Sequence, residues 1–226
     1  MDAKLSGLIF VLSCGPALAD DATKPASSPA PSETAVNVKP GDSWEYEIRD
    51  GLTDQLRTTM YLTVTEVTTS EIDVRYRWTA AKTQQESSGL VTYDRNWRRK
   101  EDSAWRETPP NDTTGIPDGL AVNKSWNYTR KAMRLSPPQD VRFTGSGKVP
   151  AWEEVTLPNG ASYDAYRIEF TEAATPVVNN RKSEYKTVEW YAPSVNNYVK
   201  RTWEFRQNGK LADKTLEFLT QYKPLP

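Results

Sequence analysis

The chain has 226 residues, with 29 lysines and arginines against 30 aspartates and glutamates, a formal charge of −1, and therefore no basic excess to offer a nucleic acid. It contains no histidine, and its one cysteine is Cys14. Imidazole-based nucleophilic triads and the usual zinc sites are thereby excluded, and the chain beyond Cys14 has no thiol nucleophile and no internal disulfide; neither a metal nor a cofactor is expected.

The chain opens with Lys4, an apolar run from Leu5 to Leu12 broken by Ser6 and Gly7, and then Pro16-Ala17-Leu18-Ala19. A positive start, a short apolar run and a small-x-small end are the layout of a secretory signal, so residues 1–19 read as a signal peptide cut between Ala19 and Asp20. The run is too short to span about 30 Å of hydrocarbon, which takes roughly 20 apolar residues, and no later segment reaches that length. The mature protein is thus expected to have no transmembrane span and to be periplasmic or secreted. Val11-Leu12-Ser13-Cys14 offers a rival cut resembling a lipobox, which would leave the protein lipid-anchored to the envelope through Cys14.

Residues 20–40 hold four prolines and almost no large apolar group before Val36. Such chain cannot bury enough surface to offset its ordering entropy, and it reads as a disordered linker. Were Cys14 acylated, it would let the domain stand up to about 80 Å from the membrane, at roughly 3.1 Å per residue.

From residue 41 to residue 226 the apolar side chains recur at every second position, the period of a half-buried strand. Trp44, Tyr46 and Ile48 form one such run, Met60, Leu62 and Val64 a second, and Ile72, Val74, Tyr76 and Trp78 a third. Trp126 and Tyr128, Val141 and Phe143, and Tyr166, Ile168 and Phe170 continue the pattern. Val188 and Trp190, then Val199, Trp203 and Phe205, and last Leu216 and Phe218 complete it. Asp50-Gly51, Ser88-Gly89, Pro158-Asn159-Gly160, Asn179-Asn180 and Asn208-Gly209 read as turns.

About ten short strands of this spacing predict one all-β domain, an antiparallel, strongly curved sheet forming an open, half-closed barrel or a sandwich. Only residues 80–88 admit a helical turn, and residues 107–119 read as a polar surface loop. Ser43-Trp44-Glu45-Tyr46 returns as Ser125-Trp126-Asn127-Tyr128, 82 positions later, which raises two related halves as a further expectation. An outer-membrane barrel is disfavoured, because the positions opposite the apolar ones carry Glu45, Glu47, Arg75, Arg77, Arg167 and Glu169.

Gly41-Asp42-Ser43-Trp44-Glu45-Tyr46, Val155-Thr156-Leu157-Pro158-Asn159-Gly160 with Tyr163-Asp164-Ala165-Tyr166-Arg167-Ile168, and Glu189-Trp190-Tyr191-Ala192-Pro193 followed by Val199-Lys200-Arg201 resemble stretches of a group of exported bacterial envelope proteins. The resemblance implies an open barrel distantly like those of periplasmic lipoprotein carriers, and with it an apolar ligand; it supplies no binding residue.

Trp, Tyr and Phe number eight, 11 and five, enough either to fill a core or to line a cavity. Trp44, Tyr46, Met60, Trp78, Trp126, Tyr166 and Trp190 are the candidate ligand-lining residues, with ordinary core packing as the competing reading. Trp97, Trp105 and Trp152 are flanked by charge and suit a rim or surface contact. Arg95, Arg98, Arg99 and Lys100 are offset by Asp94, Glu101 and Asp102, as in a solvated hairpin. Glu153 and Glu154 are adjacent, so on a strand they point to opposite faces and cannot form a glycosidase pair. Asn127-Tyr128-Thr129 matches a glycosylation acceptor that a bacterial export context leaves unused.

The sequence therefore predicts a non-enzymatic binder or carrier of a lipid or other apolar or amphipathic small molecule. A structural or interaction module partnered with other envelope proteins, and a glycan-binding protein, are the alternatives.

Overall fold

A computed structural model describes residues 24–31, 36–108, 114–176 and 182–225. The signal peptide, its cleavage point at Ala19 and Asp20, Cys14 and the Asn179-Asn180 turn all lie outside those residues. Among the described residues thirteen strands form one antiparallel sheet: β1 (Lys24–Pro25), β2 (Ser43–Asp50), β3 (Leu56–Val67), β4 (Glu71–Ala80), β5 (Glu86–Asp94), β6 (Arg99–Glu101), β7 (Trp105–Thr108), β8 (Ser125–Leu135), β9 (Pro138–Thr156), β10 (Ser162–Pro176), β11 (Ser183–Ala192), β12 (Asn197–Gln207) and β13 (Lys210–Lys223).

Neighbouring strands pair in sequence from β2 to β13, and β13 pairs back with β2, so twelve strands close a ring. The barrel expected from the sequence is present, but it is closed and not open. Closure removes the free edges that an open sheet would expose. The 19-residue β9 is the pivot: its first half pairs with β8, its other edge pairs with β10 along its length, and β1 pairs with its last residues at Glu153 and Glu154.

Three close cross-strand contacts explain three strand glycines. Tyr76 lies opposite Gly89, Tyr128 opposite Gly145 and Trp126 opposite Gly147, and a Cβ on any of these glycines would collide with the facing ring. Ser88-Gly89 is accordingly not a turn but the middle of β5, where only glycine leaves room for the Tyr76 ring. Residues 81–85 are a connecting turn between strands and not helical. The Asn208-Gly209 hairpin is as expected, with both residues at positive φ, 52° and 76°.

The two ends of the barrel differ. At one end the connections 68–70, 95–98, 157–161 and 193–196 meet the chain around Val36 and Val38 and the loop holding Ile116 and Leu120. These four apolar residues are buried with Trp44, Val64, Val149 and Val195 in a continuous plug. Ile116 thus leaves the surface loop expected over 107–119 and enters the core, its N–H bonded to the Asn96 carbonyl at 2.7 Å. The chain expected as a free linker is, over residues 24–31, laid against the barrel wall: Ser27 and Ser28 donate four hydrogen bonds to Asp164, and Tyr166 donates to the Pro31 carbonyl at 2.8 Å.

Candidate functional site: a charged cavity in the lumen

Strand register fixes which side chains face inward. On the β2 to β5 side these are Tyr46, Met60, Ile72, Val74 and Tyr93, packed together and fully or largely buried. On the β6 to β12 side the inward row reads Arg99, Trp105, Glu107, Tyr128, Arg130, Phe143, Phe170, Glu172, Tyr185, Thr187, Glu189, Arg201 and Trp203. That side does not fill the lumen. A cavity of about 300 Å³ remains, walled by eleven of these residues with Thr114 and Gly115.

The charges around it are organised as two linked groups. In the first, Arg130 grips Glu172 through Nε and Nη2, both at 2.8 Å, and Glu107 through Nη1 at 2.7 Å, while its guanidinium lies 3.8 Å over the Phe143 ring. Arg99 reaches Glu107 at 3.2 Å and Asp102 at 3.0 Å. Arg130 and Glu107 are almost wholly buried, so the pairing is what permits their charge in the interior.

In the second group Arg201 donates to Glu217 at 2.6 Å and stands 3.5 Å from Glu189. Tyr198 also donates to Glu217, at 2.9 Å, and Tyr46 donates to the Tyr198 carbonyl at 2.8 Å. Burial works against the Arg201 charge, but Glu217, Tyr198 and Glu189 together hold its pKa well above the ordinary value. Burial raises the pKa of the Glu189 carboxyl, an effect that Arg201 opposes and Glu217 reinforces. Glu189 lies deep in the barrel, yet 22% of its side-chain surface is reachable by water, because it faces the cavity.

The seven residues singled out from the sequence fall elsewhere, and none of them walls this cavity. Trp44 belongs to the plug, donating to the Val195 carbonyl at 2.8 Å and stacking on Tyr222. Tyr46 and Met60 fill the packed side, Tyr46 stacked on Tyr198 with ring centroids 4.5 Å apart. Trp78 faces inward at the opposite end, where it is 45% exposed beside Tyr76. Trp126 packs edge-on against Phe170 behind the cavity wall. Tyr166 is held under the N-terminal chain with Trp152. Trp190 follows the inward Glu189 and so faces outward, where its indole N–H donates to Glu153 at 2.6 Å.

Of the charge-flanked tryptophans, Trp105 walls the cavity, Trp97 packs between Trp44 and Tyr93, and Trp152 lies at the surface by Ser28. Arg99, expected on a solvated hairpin, also walls the cavity, while Arg98 pairs with Asp94 and Asp118. The inward Arg130, Glu172 and Glu189 went unrecognised, because a charged residue at alternate positions of a strand reads as its solvent face.

A second concavity, about 390 Å³, lies at the outer surface beside residues 27–31. It is formed in part by Ser27 and Ser28, which are exposed, and it has none of the buried charge of the lumen. Among the described residues no group of three or more carboxylates, thiols or imidazoles could hold a metal, and no helix is long and apolar enough to cross a membrane.

Two solved structures share this fold. One is a provisionally assigned lipoprotein of Parabacteroides distasonis, with a TM-score of 0.53 and 14% identity over 84% of this chain and 99% of its own. The other is a provisionally assigned exported protein of Bacteroides fragilis with a YmcC-like fold, with a TM-score of 0.53 and 11% identity over the same shares. The hypothetical lipoprotein YmcC of Escherichia coli aligns more weakly, at a TM-score of 0.41 and 8% identity over 83% of this chain and 87% of its own. No family model matches the sequence, and no curated protein matches it as a relative. At such identities the likeness concerns the barrel and not its contents.

Proposed function

We propose that the protein is an exported, non-enzymatic binding protein of the bacterial envelope that holds a small amphipathic molecule in the lumen of its barrel. The observation that carries this reading is the cavity itself. Aromatic rings from Trp105, Phe170, Tyr185 and Trp203 and charged groups from Glu189 and Arg130 converge on one half-open space, the mixture that ligand sites use to bury an apolar body and orient a polar end. A core built only for stability would gain by filling that volume.

Export is supported by the signal layout of residues 1–19, and the same barrel occurs in proteins described as exported or as lipoproteins. A water-facing wall is supported by the outward pairs Arg49–Glu47, Arg167–Glu169, Lys148–Glu169 and Lys214–Glu204, which a lipid-facing wall could not carry. The carboxylates of Glu107 and Glu172 are clamped on Arg130, which suits a structural brace better than a general acid or base.

Native mass spectrometry of protein purified from its own envelope tests the proposal. The expected result is a mass above that of the polypeptide that is lost on denaturation. A clean polypeptide mass, together with no uptake of fluorescent amphiphiles of either charge, would overturn it.

A further inference from the structure

A second surface, independent of the lumen, lies where residues 24–31 (Lys24-Pro25-Ala26-Ser27-Ser28-Pro29-Ala30-Pro31) meet the β9–β10 hairpin. β8 pairs with β9 only as far as Lys148, so beyond it that edge of β9 is left to other chain; among the described residues β1 covers it, at Glu153 and Glu154. Register sets Glu154 opposite Asp164 and Trp152 opposite Tyr166, which puts these four side chains on one face of the hairpin.

All four hold the segment. Lys24 pairs with Glu154 at 3.1 Å. Ser27 donates its N–H and its hydroxyl to Asp164 at 2.8 and 2.9 Å, and Ser28 does the same at 2.9 and 2.5 Å. Trp152 donates its indole N–H to the Ser28 carbonyl at 2.7 Å, Tyr166 donates its hydroxyl to the Pro31 carbonyl at 2.8 Å, and the two rings lie 4.6 Å apart. One carboxylate thus takes both hydroxyls and both N–H groups of the serine pair, while two aromatic donors take carbonyls, a set that reads the serines and the chain direction together. The Ser28 hydroxyl, with the N–H and hydroxyl of Ser27 and the Ser28 N–H, holds the Asp164 carboxyl below the usual carboxylate range. Pro25, Pro29 and Pro31 favour the extended form, which lowers the entropy lost on docking, and aromatic-lined grooves suit such segments.

The contact is made of hydrogen bonds and not of burial. All of residues 24–31 except Ala26 and Pro31 are exposed, and a concavity of about 390 Å³ stays open beside them, lined also by Pro193 and Ser194. Hydrogen bonds that exchange with water contribute little net, so the segment can leave without unfolding the barrel. We propose that this face of the β9–β10 hairpin is a peptide-recognition site for an extended Ser-Ser segment bounded by prolines, occupied reversibly by the chain's own residues 24–31. Occupied, it anchors the chain at Lys24. A lipid tether from Cys14 would then reach about 30 Å, ten residues at roughly 3.1 Å each, in place of the 80 Å or so open to it on release.

Amide hydrogen exchange of the mature protein, read residue by residue by NMR, tests the docking. The Ser27 and Ser28 amides should exchange at least about tenfold more slowly than in Asp164→Ala, with the β3 amides unchanged between the two. Should Asp164→Ala fail to fold, a free peptide of residues 24–31 supplies the reference rate. Recognition is tested separately. Ser27→Asp together with Ser28→Asp sets two further carboxylates against Asp164 and vacates the face. The same peptide, added at about millimolar concentration to match the advantage of attachment, should then shift the Trp152 indole signal in that variant and not in the unaltered protein. Ser27 and Ser28 amides that exchange at the reference rate in the unaltered protein would overturn the proposal. A peptide that leaves the Trp152 signal of the vacated variant unmoved would overturn it as well, and neither result bears on the lumen.

Discussion

One side of this barrel is full and the other is hollow, and the contrast separates what stabilises the fold from what it is for. Between β2 and β5, and across the plugged end, the interior is apolar: Trp44, Tyr46, Val64, Ile72 and Val74 are each at most 1% exposed. Between β6 and β12 the inward residues Tyr185, Thr187, Glu189 and Trp203 are only half-buried, and the space in front of them is lined with paired charge. Apolar burial is non-directional and can close any gap, whereas ion pairs hold their geometry only where partners are fixed. The full side therefore serves as the frame, and the hollow side keeps a cavity open because its walls are braced by Arg130 and Arg201.

The largest way to break that contrast is to empty the frame. Trp44→Ala removes a buried indole and leaves the Val195 carbonyl without its donor, so a loss of about 3–5 kcal/mol is expected in urea unfolding. Bracing comes next. Arg130→Leu strands Glu107 and Glu172, and a loss of about 3 kcal/mol is expected, at the low end for a broken buried pair because Arg99 still reaches Glu107.

A smaller effect sharpens the contrast through pH. Because burial raises the Glu189 pKa, the folded state holds that proton more tightly than the unfolded chain. Folding thus takes up a proton between the ordinary value of 4.5 and the raised one, and stability falls as pH climbs through that window. In Glu189→Gln this part of the fall disappears, while the surface carboxylates held low by their partners, Glu101, Asp164 and Glu204, act equally in both proteins. Unfolding free energies measured from pH 4 to pH 8 should show the unaltered protein losing ground to the variant as pH rises; parallel curves would contradict the placement of Glu189.

How far the sequence could be read follows the same division. On the full side, Trp44, Tyr46, Ile72 and Val74 face inward as their alternation predicts, since there the apolar face and the inner face are one. On the other side Tyr128, Phe143, Phe170 and Trp203 also face inward as predicted, but on β11 and β13 the rule inverts. Val188 and Trp190 on β11, and Leu216 and Phe218 on β13, alternate as an apolar face, yet register places Glu189 and Glu217 inward against Arg201 and turns those four residues outward. A period of two reports that a strand has two faces and not which of them is enclosed. Closure of the ring was equally hidden, because the pairing of β13 with β2 joins strands far apart in the chain and has no local signal.

The hollow side can be tested directly, because Cys14 is the chain's one cysteine and an introduced thiol can be read without background once Cys14→Ser is made. In that background Thr187→Cys places a thiol on the cavity wall and Val74→Cys places one in the packed frame. Modification by a small methanethiosulfonate reagent should be rapid at position 187 in the native protein, and at position 74 seen only on unfolding. Equal protection of the two thiols in the native state would contradict the account.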